Sequence, residues 1–138
     1  MQMHLDTYFN IIDKDLCTLV ESRYYAKKGD PEWVTVDLYT RKPGAKEYAL
    51  TQKEIPFVEF LKKRGFKIIP IKPEDELHYA NNFLTIAPRH IMAVGNQSEE
   101  LQKALSENGV KVEWIPLETL IKGYGAAHCM TQVIRVAK

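Results

Sequence analysis

At 138 residues, 45% hydrophobic and 27% charged with a formal net charge of +1, the chain has the size and composition of one ordinary globular domain. A domain of this length buries roughly 68% of its unfolded surface, enough for a core without staples, which excludes global disorder. The near-neutral charge is spread along the chain and leaves no nucleic-acid footprint, and no apolar run approaches the ~18 residues of a membrane span.

The chain opens on His4-Leu5-Asp6-Thr7, expected as extended backbone that projects His4 and Asp6 to one face. Tyr8 to Val20 predicts two strands around a tight turn. Residues 21–50 read as an insertion with a strand at Trp33–Tyr39 and a turn at Lys42-Pro43-Gly44. A helix is expected from Gln52 to Arg64. Thr51 with Glu54 three residues on resembles a capping box, Pro56 falls in the first turn and Gly65 ends the helix. The basic run Lys62-Lys63-Arg64 then complements the carbonyl dipole at its end. A strand at Phe66–Ile69 follows and stops at Pro70.

The stretch from Asn82 to Val94 repeats the first hairpin: Phe83–Ile86, a turn at Ala87-Pro88-Arg89, then His90–Val94. Phe9 aligns with Phe83, Ile12 with Ile86 and Val20 with Val94. A helix from about Ser98 to Asn108, Gly109 at its end, and a strand from Val110 to Ile115 complete the second copy. Two β-β-α-β modules, about 4–71 and 82–116, plus a closing strand at about 130–136 predict an α/β fold of repeated units.

The chemistry-bearing groups lie at the two ends. Cys129 follows Gly123-Tyr124-Gly125-Ala126-Ala127-His128, a stretch of little side-chain bulk that can pass close to a ligand. Its thiol needs cationic or dipolar help to become a thiolate. In extended chain His128 faces away from it, so His4 is the better partner for proton transfer, with Asp6 to hold a cation or orient a neighbour. Blander readings stand beside these: polar residues at a chain terminus for His4 and Asp6, and a small apolar core residue for Cys129. His78 and His90 have no partner at metal-ligand spacing. A zinc module from His4, Asp6, His128 and Cys129 is a weaker alternative, and no metal is assigned.

Two thiols, Cys17 and Cys129, do not make a secreted disulfide scaffold, and Met1 to Asp6 carries no signal-peptide pattern. A cytoplasmic location is expected.

Taken together, Met3-His4-Leu5-Asp6-Thr7 with Phe9, the segment His78-Tyr79-Ala80-Asn81-Asn82-Phe83-Leu84, and Gly125-Ala126-Ala127-His128-Cys129-Met130-Thr131 closing on Ile134-Arg135 resemble the C-terminal part of arginine deiminases, within the guanidino-group-modifying superfamily. The resemblance implies five β-β-α-β modules around a pseudo-fivefold axis, so this chain is expected to form a partial α/β propeller. It implies that Cys129 attacks a guanidinium carbon, His4 moves the protons and Asp6 holds guanidinium nitrogens. Asn82 or its neighbour Asn81, with Tyr124 and His128, falls at substrate-binding positions.

The expected substrate is a small guanidinium compound, arginine or a derivative, with no cofactor, nucleic acid or membrane involved. Family members carry a further acidic pair upstream of the H-x-D motif, and deiminases often place an arginine where this chain has Tyr124. Self-association or a partner chain supplying further modules is therefore expected. Amidino transfer and a non-catalytic assembly module are the alternatives.

Overall fold

The computed structural model describes residues 4–132 and 134. A tight hairpin joins β1 (Phe9–Asp13) to β2 (Leu16–Val20), and all five residues of β2 are buried. Such a strand must be covered on both faces. Leu16 faces one hydrophobic cluster, which also holds Ile12, Ile71, Phe83 and Ile91, while Cys17 and Leu19 face a second around Phe9 and Leu61. After the short α1 (Glu21–Tyr24), β3 (Thr35–Thr40) and β4 (Ala49–Pro56) pair as a separate antiparallel ribbon. Then come α2 (Phe57–Lys63) and β5 (Lys67–Ile71), which lies parallel to β2.

A short helix, α3 (Pro73–Leu77), leads into the second unit: β6 (Leu84–Ala87), β7 (His90–Val94), α4 (Glu99–Glu107) and β8 (Lys111–Ile115). Its strand order, β6-β7-β8, reproduces β1-β2-β5. The register repeats as well. Asn10↔Thr18 recurs as Leu84↔Met92, and Ile11↔Cys17 as Thr85↔Ile91. The hairpin irregularity at Asp13↔Leu16 recurs at Ala87↔His90.

Both helices stop in the same way. The Gly65 N–H donates to Lys62 O and the Phe66 N–H to Leu61 O; Gly109 N–H donates to Ser106 O and Val110 N–H to Leu105 O. This is the Schellman pattern, with each glycine at positive φ (85° and 69°). Lys62 and Lys63 occupy the last turn of α2, as their charge favours.

The result is a mixed α/β protein with three small sheets among the described residues, none of them closed into a barrel. Among the described residues, no helix is long and apolar enough to cross a membrane.

Several sequence expectations are corrected. β5 does not stop at Pro70 but runs through it to Ile71, Pro70 lying opposite Leu19. The helix begins at Phe57, not Gln52, because Ala49–Pro56 is drawn into pairing with β3. Thr51 Oγ1 donates to Leu38 O at 3.0 Å instead of capping a helix, and the Glu54 N–H donates to Asp37 Oδ1 at 2.8 Å. The closing strand does not form over Met130 to Gln132, where the N–H groups of Met130 and Thr131 turn back to Ala126 O and His128 O. Ile134 has no regular structure, and residues 133, 135 and 136 of that expected strand lie outside the described residues.

Candidate active site

His4 has extended backbone (φ −133°, ψ 159°), but Leu5–Thr7 coils into a 3-10 turn. Thr7 closes it, its N–H and Oγ1 both donating to His4 O at 3.2 and 2.6 Å. The expected strand is therefore absent here. The turn, rather than strand alternation, folds Asp6 back beside His4.

The second segment comes from the far end of the chain. A 3-10 helix, Leu120–Gly123, ends at Tyr124 in the left-handed region (φ 66°), and Gly125, Ala126 and Ala127 are buried beyond it. Gly125 is needed for space: a Cβ there would stand 2.7 Å from Cys129 Cβ and 3.3 Å from its Sγ.

Asn82, fully buried, clamps this loop. Its Oδ1 accepts the N–H groups of Ala126 (2.8 Å) and Cys129 (3.1 Å), its carbonyl accepts that of His128 (3.0 Å), and its Nδ2 donates to Cys129 Sγ at 3.0 Å. Of the two adjacent asparagines, Asn82 is thus the one against the sulfur. The Asn81 side chain is buried with no hydrogen-bond partner among the described residues, and its carbonyl accepts from Asn10 Nδ2 at 2.7 Å.

The two ends meet at the thiol. Cys129 Sγ lies 3.5 Å from Asp6 Oδ2 and 3.9 Å from His4 Nδ1. His128 Nδ1 lies 2.7 Å from that same Asp6 oxygen. His128 therefore holds Asp6, a role its sequence position beside Cys129 did not suggest. Burial pushes the Cys129 thiol above its ordinary range; the Asn82 amide pulls it back, and the Asp6 carboxylate raises it further.

Tyr79 adds a residue that the sequence motif contained but did not single out. It too is in the left-handed region (φ 57°), and it is close enough to Cys129 and Tyr124 that both raise its phenol after burial does. Tyr124 itself is largely exposed. His4, Asp6 and His128 also line an open depression of about 400 Å³ with Leu5, Phe9, Asn10 and Ile11.

The remaining titratable groups named from sequence stand apart. Cys17 is fully buried and its thiol is pushed up to about 12, an inert core position. His90 pairs with Glu113 at 2.7 Å.

A protein-family model described as arginine deiminase matches residues 1–135. The arginine deiminase of Halobacterium salinarum is 34% identical over 155 residues, covering 96% of this chain and 30% of that protein. That of Borreliella afzelii is 29% identical over 139 residues, covering 94% and 32%. The Lactococcus lactis arginine deiminase is 27% identical over 139 residues, covering 94% and 33%. The chain spans about a third of the length of the curated relatives it matches.

Proposed function

Because the chain belongs to the arginine deiminase family, we propose that it carries the thiol side of a site that hydrolyses a guanidinium substrate through a covalent Cys129 intermediate. The observation that carries this reading is the convergence of His4 and Asp6, from the N-terminal turn, and Asn82, from the segment before β6, on one sulfur.

Asp6 accepts charge-assisted hydrogen bonds from guanidinium nitrogens, and His128 keeps that carboxylate oriented. Cys129 Sγ attacks the guanidinium carbon as its thiol proton passes to His4. The C–N bond to the departing amine then breaks as His4 delivers a proton to that nitrogen. Water next adds to the thiouronium carbon, His4 takes its proton, and the C–S bond breaks to release a ureido product. The covalent step divides one hard substitution into two easier ones.

The raised thiol fits this order. A protonated sulfur beside an anion is quiet until a cation arrives, and a guanidinium held by Asp6 next to Sγ supplies that cation. Tyr79 lies near both the thiol and Tyr124, and these two tyrosines are the residues proposed to meet the substrate's tail. A free thiol suits a reducing compartment such as the cytoplasm.

Asp6 is the sole carboxylate contacting the sulfur among the described residues, and the site is open. A desolvated guanidinium needs more than one counter-charge. We therefore infer that further β-β-α-β modules, supplied by more chain, a partner or a second copy, extend these units into a propeller and close the site. The repeated strand order and register support that extension.

Intact-mass measurement after incubation with a haloacetamidine, a cationic guanidinium-like alkylator, tests the reading against neutral iodoacetamide. The expected result is one label, lost in Cys129→Ser, added by the cation about tenfold faster relative to a free thiol than the neutral reagent. Equal relative rates, or labelling that survives Cys129→Ser, overturn it.

A further inference from the structure

We propose that the outer edge of β3 pairs antiparallel with β3 of a second copy of this chain. The two ribbons then join into one four-stranded sheet, β4-β3-β3-β4, across a two-fold axis at Tyr39. Among the described residues the ribbon is a sheet of its own, and β4 covers only one side of β3. A lone two-stranded ribbon is marginal in water, and its open edges are templates for another strand.

The two edges are not alike. From Val36↔Ile55 to Leu38↔Gln52, β3 advances two residues and β4 three; from there to Tyr39↔Leu50, β3 advances one and β4 two. Both extra residues therefore bulge from β4, where Glu54 is in the left-handed region (φ 53°). Those bulges, with Lys53 and Pro56, protect the β4 edge from pairing. β3 is unbulged, and its peptide groups alternate. Val34 O accepts the Phe57 N–H and Leu38 O accepts the Thr51 hydroxyl, each at 3.0 Å, so the even-numbered residues face β4. The N–H and C=O groups of Asp37 and Tyr39 then point to the open side.

The open edge is its own complement in charge. Pairing centred on Tyr39 sets Asp37 opposite the partner's Arg41, and Arg41 opposite the partner's Asp37. Centred on Asp37 or on Arg41, like charges meet; centred on Leu38 or Thr40, no opposite charges pair. The apolar pattern agrees. Asp37, Tyr39 and Arg41 are exposed, while Val36 and Leu38 are half-buried on the other face. Leu50 lies opposite Tyr39 within the ribbon, and both are exposed in the single chain. Pairing extends them into one row of four side chains across the sheet, from Leu50 to the partner's Leu50. No ribbon residue belongs to the thiol cluster or lines the depression beside it, so the contact stands apart from the proposed chemistry.

Sedimentation velocity over a dilution series tests it. Wild type should form a reversible dimer. Arg41→Asp and Asp37→Arg each place two like-charge pairs in the symmetric dimer and should raise its dissociation constant about tenfold or more. An equimolar mixture of the two variants should dimerise again, because every pair across the mixed contact is of opposite charge. Tyr39→Cys in a Cys129→Ser background should give a disulfide-linked dimer on mild oxidation, since Cα atoms of a hydrogen-bonded pair stand about 5.5 Å apart. Thr35→Cys in the same background should not, and this comparison covers a charge variant that fails to fold.

A wild-type chain that stays monomeric at every concentration overturns the proposal. So does a dimer that both charge variants leave intact, a mixture of folded variants that stays dissociated, or equal cross-linking at positions 35 and 39.

Discussion

Opposing influences hold the Cys129 thiol. Burial raises it most, the Asn82 amide and the Ala126 peptide N–H lower it, and Asp6 raises it both by charge and by hydrogen bond. Asp6 therefore suppresses the resting thiolate, and in the proposed reaction the arriving cation reverses that suppression. In Asp6→Asn the pH–rate profile for iodoacetamide should move to lower pH and its rate at neutral pH should rise roughly several-fold, since a like charge next to the sulfur is gone. The haloacetamidine should lose its relative advantage in the same variant. An unmoved midpoint would remove Asp6 from the electrostatics of the thiol. Residue type and motif made His4, Asp6 and Cys129 legible in the sequence. They could not choose between Asn81 and Asn82, which differ only in which way the buried backbone turns them, and the His128–Asp6 contact depends on a turn at each end.

At the scale of elements, local signals were readable where no distant strand competed. Ser98 caps α4, its Oγ accepting from the Leu101 N–H at 3.1 Å, and Asp75 holds Ser98 by its N–H and hydroxyl, each at 2.7 Å. The same kind of signal failed at Thr51, because β3 offers the preceding backbone a ladder that a lone capping hydroxyl cannot outweigh. The helix ends were readable because positive φ at one residue depends on glycine and on little else. A Cβ at Gly65 or Gly109 meets nothing within 4 Å, so alanine there introduces backbone strain without a clash. Gly65→Ala and Gly109→Ala should each lower stability by about 1–2 kcal/mol in urea unfolding, by similar amounts. A much larger loss at one site would mean that the two helix ends are not equivalent.

At the scale of the whole molecule, the two units touch through corresponding positions. Thr85 Oγ1 donates to the carbonyl of its counterpart Ile11 at 2.7 Å, and Arg89 Nη2 reaches both carboxylate oxygens of its counterpart Asp15 at 2.8 Å. Matching residues of the two repeats therefore meet each other, and these contacts form the seam between the units. Asn10 joins that seam to the site. Its Nδ2 donates to Asn81 O at 2.7 Å and to Phe83 O at 2.8 Å, the carbonyls on either side of the residue that clamps Cys129. Removing the amide leaves two partly buried carbonyls to find other donors, a loss of about 1–3 kcal/mol, and lets the clamp shift relative to β1. Asn10→Ala should therefore destabilise the chain and slow Cys129 alkylation, although Asn10 does not touch the sulfur. A double-mutant cycle with Asn82→Ala should give a coupling of about 0.5–3 kcal/mol in unfolding, since the two act on one stretch of backbone. Strict additivity would mean that the seam and the thiol loop are independent, and that joining the units does nothing to shape the site.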